Sequence, residues 1–551
     1  MRCSERGVPP QAAGPNSLLS VVGPAAAAAM PSSSTHTDKA KHGILGLSPK
    51  SLVIIVGTVT VVGAGVGIGI GLSGGSSSGA DSSTAPSPSM PPTLSFAVSH
   101  SSVPGSKYHT SNCGSVATCG NVATWWGYNM AKLVRGTDGT LYSGYFDNSV
   151  AYPTVNHFVM LRKAPDGEWE EGHRLPASRP GNVLIDESGN VHALVFEATD
   201  VSVSDSWGKL KHYWFASGDI STSSTLVTPE TVIDNDGTSE TVNIRVGAAL
   251  RGSTLLFAFG LSTWPGPVQA EHLHACTLLA SGACTGGAAG WTAHVATGDG
   301  TSTLGHDLYY PHAVVRASGA LAALPIQDDY ENPPSAPAYN VFQFVAYFEA
   351  MDASTWAANN LILGDLRTNA LASSRYDLIE ATELFEDSSG RMHAIWREKL
   401  DPDNQYASSA VVHAMEDSAG AATFTPSTLN FADDTVRSSL NWVRLAEATS
   451  STAASSSLYY VACSYDKLYV GRVGTNLADP ITLTDITPNG VSLQGPYLYS
   501  ARTASGRAVV ETAAADGSGL DVLLLAGASA AYPDAPNYAV RIPAELFDAL
   551  P

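Results

Sequence analysis

A strand–turn–strand unit recurs along most of this 551-residue chain. Each copy consists of an apolar segment, a turn that usually contains glycine, and a second apolar segment. The seven copies occupy residues 133–146, 183–196, 246–259, 313–326, 384–397, 444–463 and 501–511. A third apolar segment follows each copy, and a fourth follows some of them, as at 168–175. Four strands in each of seven copies is the pattern of a seven-bladed propeller.

The repeat predicts an all-β fold, a seven-bladed β-propeller that occupies residues 93–551. Radial closure leaves only short sheet edges, and residues 93–100 are expected to add a closing strand to the last blade. A pair of β-sandwiches is the competing all-β architecture, but it does not predict so regular a repeat. Hydrophobic residues make up 44% of the chain, which is enough apolar material for such a core.

The region before the repeats contains an uncharged apolar segment that begins at Leu52 and ends at Leu72. It has the length of a membrane-spanning helix, and it lies too far from the N-terminus for a cleaved signal peptide. We therefore expect a disordered cytoplasmic tail at 1–51, a transmembrane signal anchor at 52–72 and a Ser/Gly/Pro-rich stalk at 73–92.

The flanking charges predict how this segment crosses the membrane. Three lysines, at 39, 41 and 50, precede it, whereas 73–90 contains no Lys or Arg. The positive-inside rule then places the N-terminus in the cytoplasm and the propeller in an extracellular or lumenal space. Glycines at 63, 67 and 71 share one helical face, which favours a homodimer through this helix, although glycine is also common in membrane helices generally.

Six cysteines are present, and four of them form two close pairs. We predict disulfides between Cys113 and Cys119 and between Cys276 and Cys284 in an oxidising compartment. Cys463 lies in an apolar segment typical of a strand, so it is expected to be a buried free thiol. No Cys/His cluster has the spacing of a zinc site, and we expect no metal and no cofactor.

The net charge of the chain is -21, and its isoelectric point is about 5.0. Such a protein repels phosphate, so the composition argues against nucleic acid as a partner. An anionic ligand would require a local cluster of basic residues.

Residues 178–195, with the sequence SRPGNVLIDESGNVHALV, resemble the inner-strand signature of sialidase-like propellers that carry bacterial neuraminidase repeats. The sequence APDGEW at 164–169 is similar to an Asp-box, whose turn joins the outer strands of a blade. This resemblance implies a relative of sialidases, polysaccharide lyases or non-catalytic sugar-binding proteins. A sialidase would need three arginines on the substrate carboxylate. Only Arg179, followed by Pro180, lies in the expected register, and Arg245 and Arg444 lie in another.

Alignment of the repeats places one polar residue near the start of each inner strand. These residues are Lys132, Asn182, Arg245, His312, Glu383, Arg444 and Tyr499. Equivalent positions of the inner strands converge on the propeller axis, so the side chains are expected to form a ring around the central channel. Such a ring could solvate a water-filled channel, or its three cations could bind an acidic sugar.

Two functions follow from this ring. The first is binding of a glycan, with Lys132, Arg179, Asn182, Arg245, Arg444 and Tyr499 as candidate substrate-binding residues. The alternative is a polysaccharide lyase or glycosidase that acts on an acidic polysaccharide, with Tyr310, His312 and Glu383 as candidate catalytic residues. In a lyase an arginine would neutralise the uronate carboxylate, while the His/Tyr pair would move the protons.

Overall fold

The computed structural model describes the propeller region of the chain, with gaps. The described residues are 98–105, 107–108, 129–150, 156–198, 208–234, 240–242, 246–263, 270–297, 308–328, 342–350, 361–365, 379–399, 409–421, 423–429, 442–449, 456–464, 467–474, 481–484, 486–487, 493, 496–512, 518–525 and 537–550.

The strands of the first four blades follow one another in chain order. Blade 1 contains β2 (Lys107–Tyr108), β3 (Val134–Arg135), β4 (Leu141–Asn148), β5 (Asn156–Lys163) and β6 (Trp169–Ala177). Blade 2 contains β7 (Asn182–Ile185), β8 (Val191–Ala198), β9 (Gly208–Phe215) and β10 (Glu230–Asp234). Blade 3 contains β11 (Glu240–Val242), β12 (Gly247–Arg251), β13 (Thr254–Thr263), β14 (Ala270–Thr277) and β15 (Thr292–Thr297). Blade 4 contains β16 (Leu308–Val315), β17 (Leu321–Asp328), β18 (Phe342–Ala350) and β19 (Leu361–Asp365).

The last three blades complete the ring. Blade 5 contains β20 (Ile379–Glu386), β21 (Met392–Lys399), β22 (Ser409–Glu416) and β23 (Phe424–Leu429). Blade 6 contains β24 (Trp442–Thr449), β25 (Ser456–Ser464), β26 (Lys467–Arg472), β27 (Ile481–Leu483) and β29 (Val509–Val510). Blade 7 contains β28 (Tyr497–Ser500), β30 (Gly519–Leu525), β31 (Asn537–Pro543) and β1 (Ser99–Val103). Short helices occupy Ala216–Gly218, Gly287–Gly290 and Ala544–Ala549.

These seven sheets confirm the predicted all-β, seven-bladed propeller. Paired strands within the blades run antiparallel, except that β2 pairs in parallel with β4 and β29 with β24. The turn between the first two strands is tight, and the glycine in it adopts positive φ, 79° at Gly189 and 81° at Gly390. A side chain is disfavoured at such a φ, which explains why glycine marks the repeat. The predicted Asp-box turn at 164–168 joins β5 to β6, the two outer strands of blade 1.

The ring closes through pairing of the two ends of the propeller. β1 pairs antiparallel with β31, in the register Ser99 with Arg541 and Val103 with Asn537. The predicted closing strand is therefore present, although it runs from 99 to 103.

Blade 7 departs from the predicted pattern, because residues 501–511 do not provide its first two strands. Its inner strand is β28, and β30, predicted as a third strand, pairs directly with β28. The intervening turn at 502–508 instead packs against the inner strand of blade 3, where a Cβ on Gly506 would lie 2.8 Å from the Leu250 carbonyl oxygen. Val509 and Val510 pair in parallel with β24 of blade 6. Packing across the axis overrides the local repeat at this point.

The apolar core lies between neighbouring blades, and many strands are buried on both faces. All four residues of β7 and all seven of β30 are buried. The largest apolar cluster spans blades 4 to 7 and includes the C-terminal helix through Leu546 and Phe547. Burial on both faces accounts for continuous apolar runs instead of strict alternation along these strands.

The cysteine predictions are confirmed where the structure describes them. Cys276 and Cys284 form a disulfide with a Cα–Cα distance of 5.8 Å, and Cys463 is a buried free thiol. Cys113 and Cys119 lie outside the described residues.

Among the described residues, no helix has both the length and the apolar character required to span a membrane. The predicted tail, anchor and stalk at 1–92 all lie outside the described part of the chain.

Candidate ligand site on the propeller axis

Five of the seven predicted ring residues line a single cavity on the axis. They are Lys132, His312, Glu383, Arg444 and Tyr499, which come from blades 1, 4, 5, 6 and 7. Each lies on or directly before the innermost strand of its blade, so the pseudo-rotation of the propeller brings them together. The described residues that complete the lining are Asn129, Met130, Ala131, Leu133, Ser500 and Arg502.

Two β-bulges set the direction of the ring side chains. The pairing of β16 shifts register between Tyr309 and His312, and the pairing of β20 shifts between Ala381 and Glu383. A bulge adds one residue to a strand and re-aims the side chains that follow it. His312 and Glu383 follow directly on these bulges, and both line the cavity.

The cavity is small, with a volume of about 20 Å³. A single water needs roughly 10–15 Å³ by this measure, so a sugar ring cannot enter. The ring side chains themselves fill the channel at this level, and Lys132 and His312 are only 2% and 1% exposed. The site therefore admits one oxygen-sized group at a time.

Arg444 connects three blades. Its Nε donates to the Leu498 carbonyl at 2.7 Å in blade 7, and its Nη1 donates to the Thr382 carbonyl in blade 5. Nη1 also lies 3.8 Å from a Glu383 carboxylate oxygen. Several N–H groups of this guanidinium thus donate to the protein itself. Arg444 therefore holds three blades together and also lines the cavity.

Glu383 and His312 are each held by a hydrogen bond to a neighbouring residue. Arg502 donates through Nη2 to Glu383 at 2.8 Å, and this arginine is 17% exposed. His312 Nε2 donates to the Ala381 carbonyl at 3.1 Å. Burial and the nearby Arg444 charge hold the pKa of His312 well below its usual range, so His312 is neutral at physiological pH.

Lys132 is the most unusual member of the ring. Its Nζ lies 3.7 Å from Met130 Sδ and 5.9 Å from the centroid of the Tyr499 ring. Among the residues that the structure describes, no carboxylate lies within salt-bridge distance of this ammonium. Burial lowers the pKa of Lys132 to about 7, because the charged form loses its hydration without gaining a counter-ion.

The other predicted site residues are placed differently. Asn182 is buried and joins blades, since its Oδ1 accepts from the Ala131 amide at 2.8 Å and its Nδ2 donates to the Val246 carbonyl at 2.9 Å. Arg179 is 3% exposed and does not line the axial cavity. Tyr310 belongs to the apolar cluster of blades 4 to 7, with φ of 51° at the bulge, and it also lies outside the lining. Arg245 falls outside the described residues.

Arg502 and Asn129 are two of the lining residues that sequence reasoning missed. Arg502 follows β28 in the turn that departs from the repeat, and Asn129 precedes the first copy. Asn129 Nδ2 donates to the Pro311 carbonyl at 2.8 Å. This hydrogen bond connects the segment just before blade 1 to blade 4. Neither residue occupies an aligned position, so the repeat carried no signal for them.

No protein-family model matches this sequence, and a search of curated proteins finds no match. Among solved structures, the chain is similar to an α-L-arabinanase of Penicillium chrysogenum, with 10% identity, a TM-score of 0.39 and coverage of 80% of this chain and 98% of that one. It is also similar to a sialidase of Trypanosoma rangeli, with 12% identity, a TM-score of 0.37 and coverage of 69% and 57%. The propeller architecture follows from the strand pairing of this chain itself. At such low identities and TM-scores, these likenesses carry no conclusion about activity.

Proposed function

We propose that this protein binds an acidic carbohydrate over the axial cavity, with the Lys132 ammonium and the Arg502 guanidinium as its cationic contacts. The observation that carries the proposal is the buried position of Lys132 without a carboxylate partner among the described residues. A buried ammonium is costly unless it gains a counter-ion, and an anionic ligand group would supply one. The choice of a carbohydrate rests on the resemblance of 178–195 to sialidase-like propellers.

The size of the cavity restricts how such a ligand could bind. A cavity of about 20 Å³ accommodates an oxygen of a carboxylate or sulfate group, but not the sugar ring that carries it. The sugar would therefore lie outside the cavity and direct its acidic group along the axis. Lys132, Arg444 and Arg502 outnumber the single carboxylate of Glu383 in the lining, which favours an anion in a chain of net charge -21.

Display of this domain on a membrane belongs to the same proposal. The uncharged segment at 52–72 would anchor the chain, and the lysines before it would keep the N-terminus in the cytoplasm. A dimer through the glycine face of that segment stays a prediction.

Replacement of Lys132 by methionine tests the binding role. The change preserves a long unbranched side chain but removes the ammonium, so it should weaken binding of uronate or sulfated oligosaccharides by about 10- to 100-fold, the value of one charge-assisted hydrogen bond. Binding can be measured by calorimetry on the full-length chain. Lys163→Met is the matched control, because Lys163 lies on β5, an outer strand of the same blade, and its Nζ contacts backbone carbonyls.

The outcomes separate the alternatives. Equal affinity of the wild type for neutral and acidic oligosaccharides, or unchanged affinity after Lys132→Met, would refute the proposal. Ultraviolet absorbance of an unsaturated uronate during the same incubation would instead identify a lyase. In that case neutral His312 and Lys132, whose pKa is about 7, would be the first residues to test as the base.

A further inference from the structure

A chain of buried polar side chains crosses blade 2, and none of its members lines the axial cavity. His192 Nε2 lies 3.3 Å from an Asp186 carboxylate oxygen, and His192 Nδ1 lies 2.9 Å from His212 Nε2. His212 Nδ1 in turn lies 3.1 Å from Glu230 Oε2. Both imidazole rings are fully buried, and the rings stack with a centroid distance of 5.2 Å.

The protons in this chain do not balance. Three contacts lie between the Asp186 and Glu230 carboxylates, and each contact is a hydrogen bond only if one of its two atoms carries a proton. Two neutral imidazoles supply only two protons. If His192 donates to Asp186 and His212 donates to His192, then the Nδ1 lone pair of His212 faces a carboxylate oxygen of Glu230. A metal ion between these two atoms would be held by both the imidazole lone pair and the carboxylate.

Blade 5 contains the same motif without this imbalance. Residues 186–192 and 387–393 share the pattern Asp-x-x-Gly-x-x-His. His393 Nε2 lies 3.2 Å from Asp387, and His393 Nδ1 lies 2.9 Å from His413 Nε2. This chain begins at one carboxylate and has two contacts, which two neutral imidazoles satisfy. Blade 5 therefore provides an internal control for blade 2.

The disulfide of blade 3 lies directly against the unbalanced end of the blade 2 chain. Cys284 Sγ is 4.0 Å from His212 Nδ1, and the Cys284 amide donates to Glu230 Oε1 at 3.0 Å. The candidate ligand atoms of His212, Glu230 and Cys284 all lie within 4.8 Å of one another. Zinc bonds of about 2.0–2.3 Å place tetrahedral ligand atoms roughly 3.3–3.8 Å apart, so small side-chain movements would suffice.

We propose that reduction of the Cys276–Cys284 disulfide by a dithiol converts this cluster into a zinc site. The dithiol is oxidised to its own disulfide, and its two electrons and two protons produce two cysteine thiols. Zn²⁺ then binds both sulfurs, His212 Nδ1 and the Glu230 carboxylate, and it displaces the two thiol protons. The reducing agent would reach the disulfide through its short hairpin, whose tip at 279–281 is exposed.

The remaining part of the chain acts as an outer shell for this metal. His212 Nε2 donates a hydrogen bond to His192, and His192 donates one to Asp186. The Nδ1 lone pair of His212 is therefore directed at the ion. Such carboxylate–imidazole partners orient metal ligands and typically change affinity by about 10–100-fold.

Cobalt titration of the reduced full-length chain tests the proposal, in a background where Cys113 and Cys119 are replaced by serine. We expect one Co²⁺ to bind with the visible bands of tetrahedral cobalt and a thiolate charge-transfer band. Zn²⁺ should displace it. The oxidised protein should not show these bands. Cys284→Ser should weaken the charge-transfer band, because only the Cys276 thiolate remains, and Asp186→Asn should weaken binding by about 10–100-fold. Asp387→Asn, the matched change in blade 5, should leave Co²⁺ binding unchanged.

Three results would overturn the zinc site. These are the absence of thiolate–cobalt bands after reduction, persistence of those bands in the Cys276→Ser/Cys284→Ser variant, and equal effects of Asp186→Asn and Asp387→Asn. A loss of β-sheet circular dichroism on reduction that Zn²⁺ does not restore would also count against it.

Discussion

Burial without a counter-ion gives Lys132 a pH-dependent effect on stability. Its pKa is about 7 in the folded protein and about 10.4 in an unfolded chain, so between these values the unfolded state binds more protons. Lys132 therefore lowers the free energy of unfolding most below pH 7. This destabilisation decreases as the pH rises from 7 towards 10.

Comparison of the wild type with Lys132→Met isolates this contribution from the other titrating groups. The variant should be the more stable protein below pH 7, and its advantage should shrink as the pH rises to about 10. Thermal melts of both proteins across this range measure the difference. An advantage that is independent of pH would show that Lys132 titrates normally.

The inner strands of blades 3 and 4 approach closely because glycine begins β12. A Cβ built on Gly247 would lie 1.9 Å from the Pro311 carbonyl oxygen, which also accepts the Asn129 hydrogen bond. Gly247→Ala should therefore force these inner strands apart and lower the free energy of unfolding by about 1–3 kcal/mol. Gly167→Ala is a suitable control, because its nearest neighbour would be at an ordinary 3.4 Å. Chemical denaturation that finds equal stabilities for the two variants would contradict this account.

The whole propeller depends on the pairing of its first and last strands. β1 pairs with β31 along five residues, and Trp169 of blade 1 donates to Ser101 at 3.2 Å. A chain that starts at residue 104 should lose about 2–5 kcal/mol relative to one that starts at 98, since several backbone hydrogen bonds of about 1 kcal/mol each disappear. The exposed edge of β31 should also promote aggregation. Melting and light scattering of the two truncated chains measure both effects, and identical behaviour would exclude closure by β1.

The repeat in the sequence was sufficient to predict the propeller, its seven blades, the closing strand and the convergence of Lys132, His312, Glu383, Arg444 and Tyr499. It succeeded because strand periodicity and glycine turns are local properties, and rotational repetition then places equivalent residues at equivalent radii. The Cys276–Cys284 bond followed from short spacing for the same reason.

Only the tertiary structure decided what fills the space between the blades. The turn at 502–508 packs against blade 3, Asn129 donates a hydrogen bond to blade 4, and Arg444 donates to carbonyls of two other blades. These contacts join residues more than fifty positions apart, so no local pattern encodes them. The same holds for the cluster of His212, Glu230 and Cys284, whose members come from two blades. Their chemistry depends on distances that are set only when the blades pack against one another.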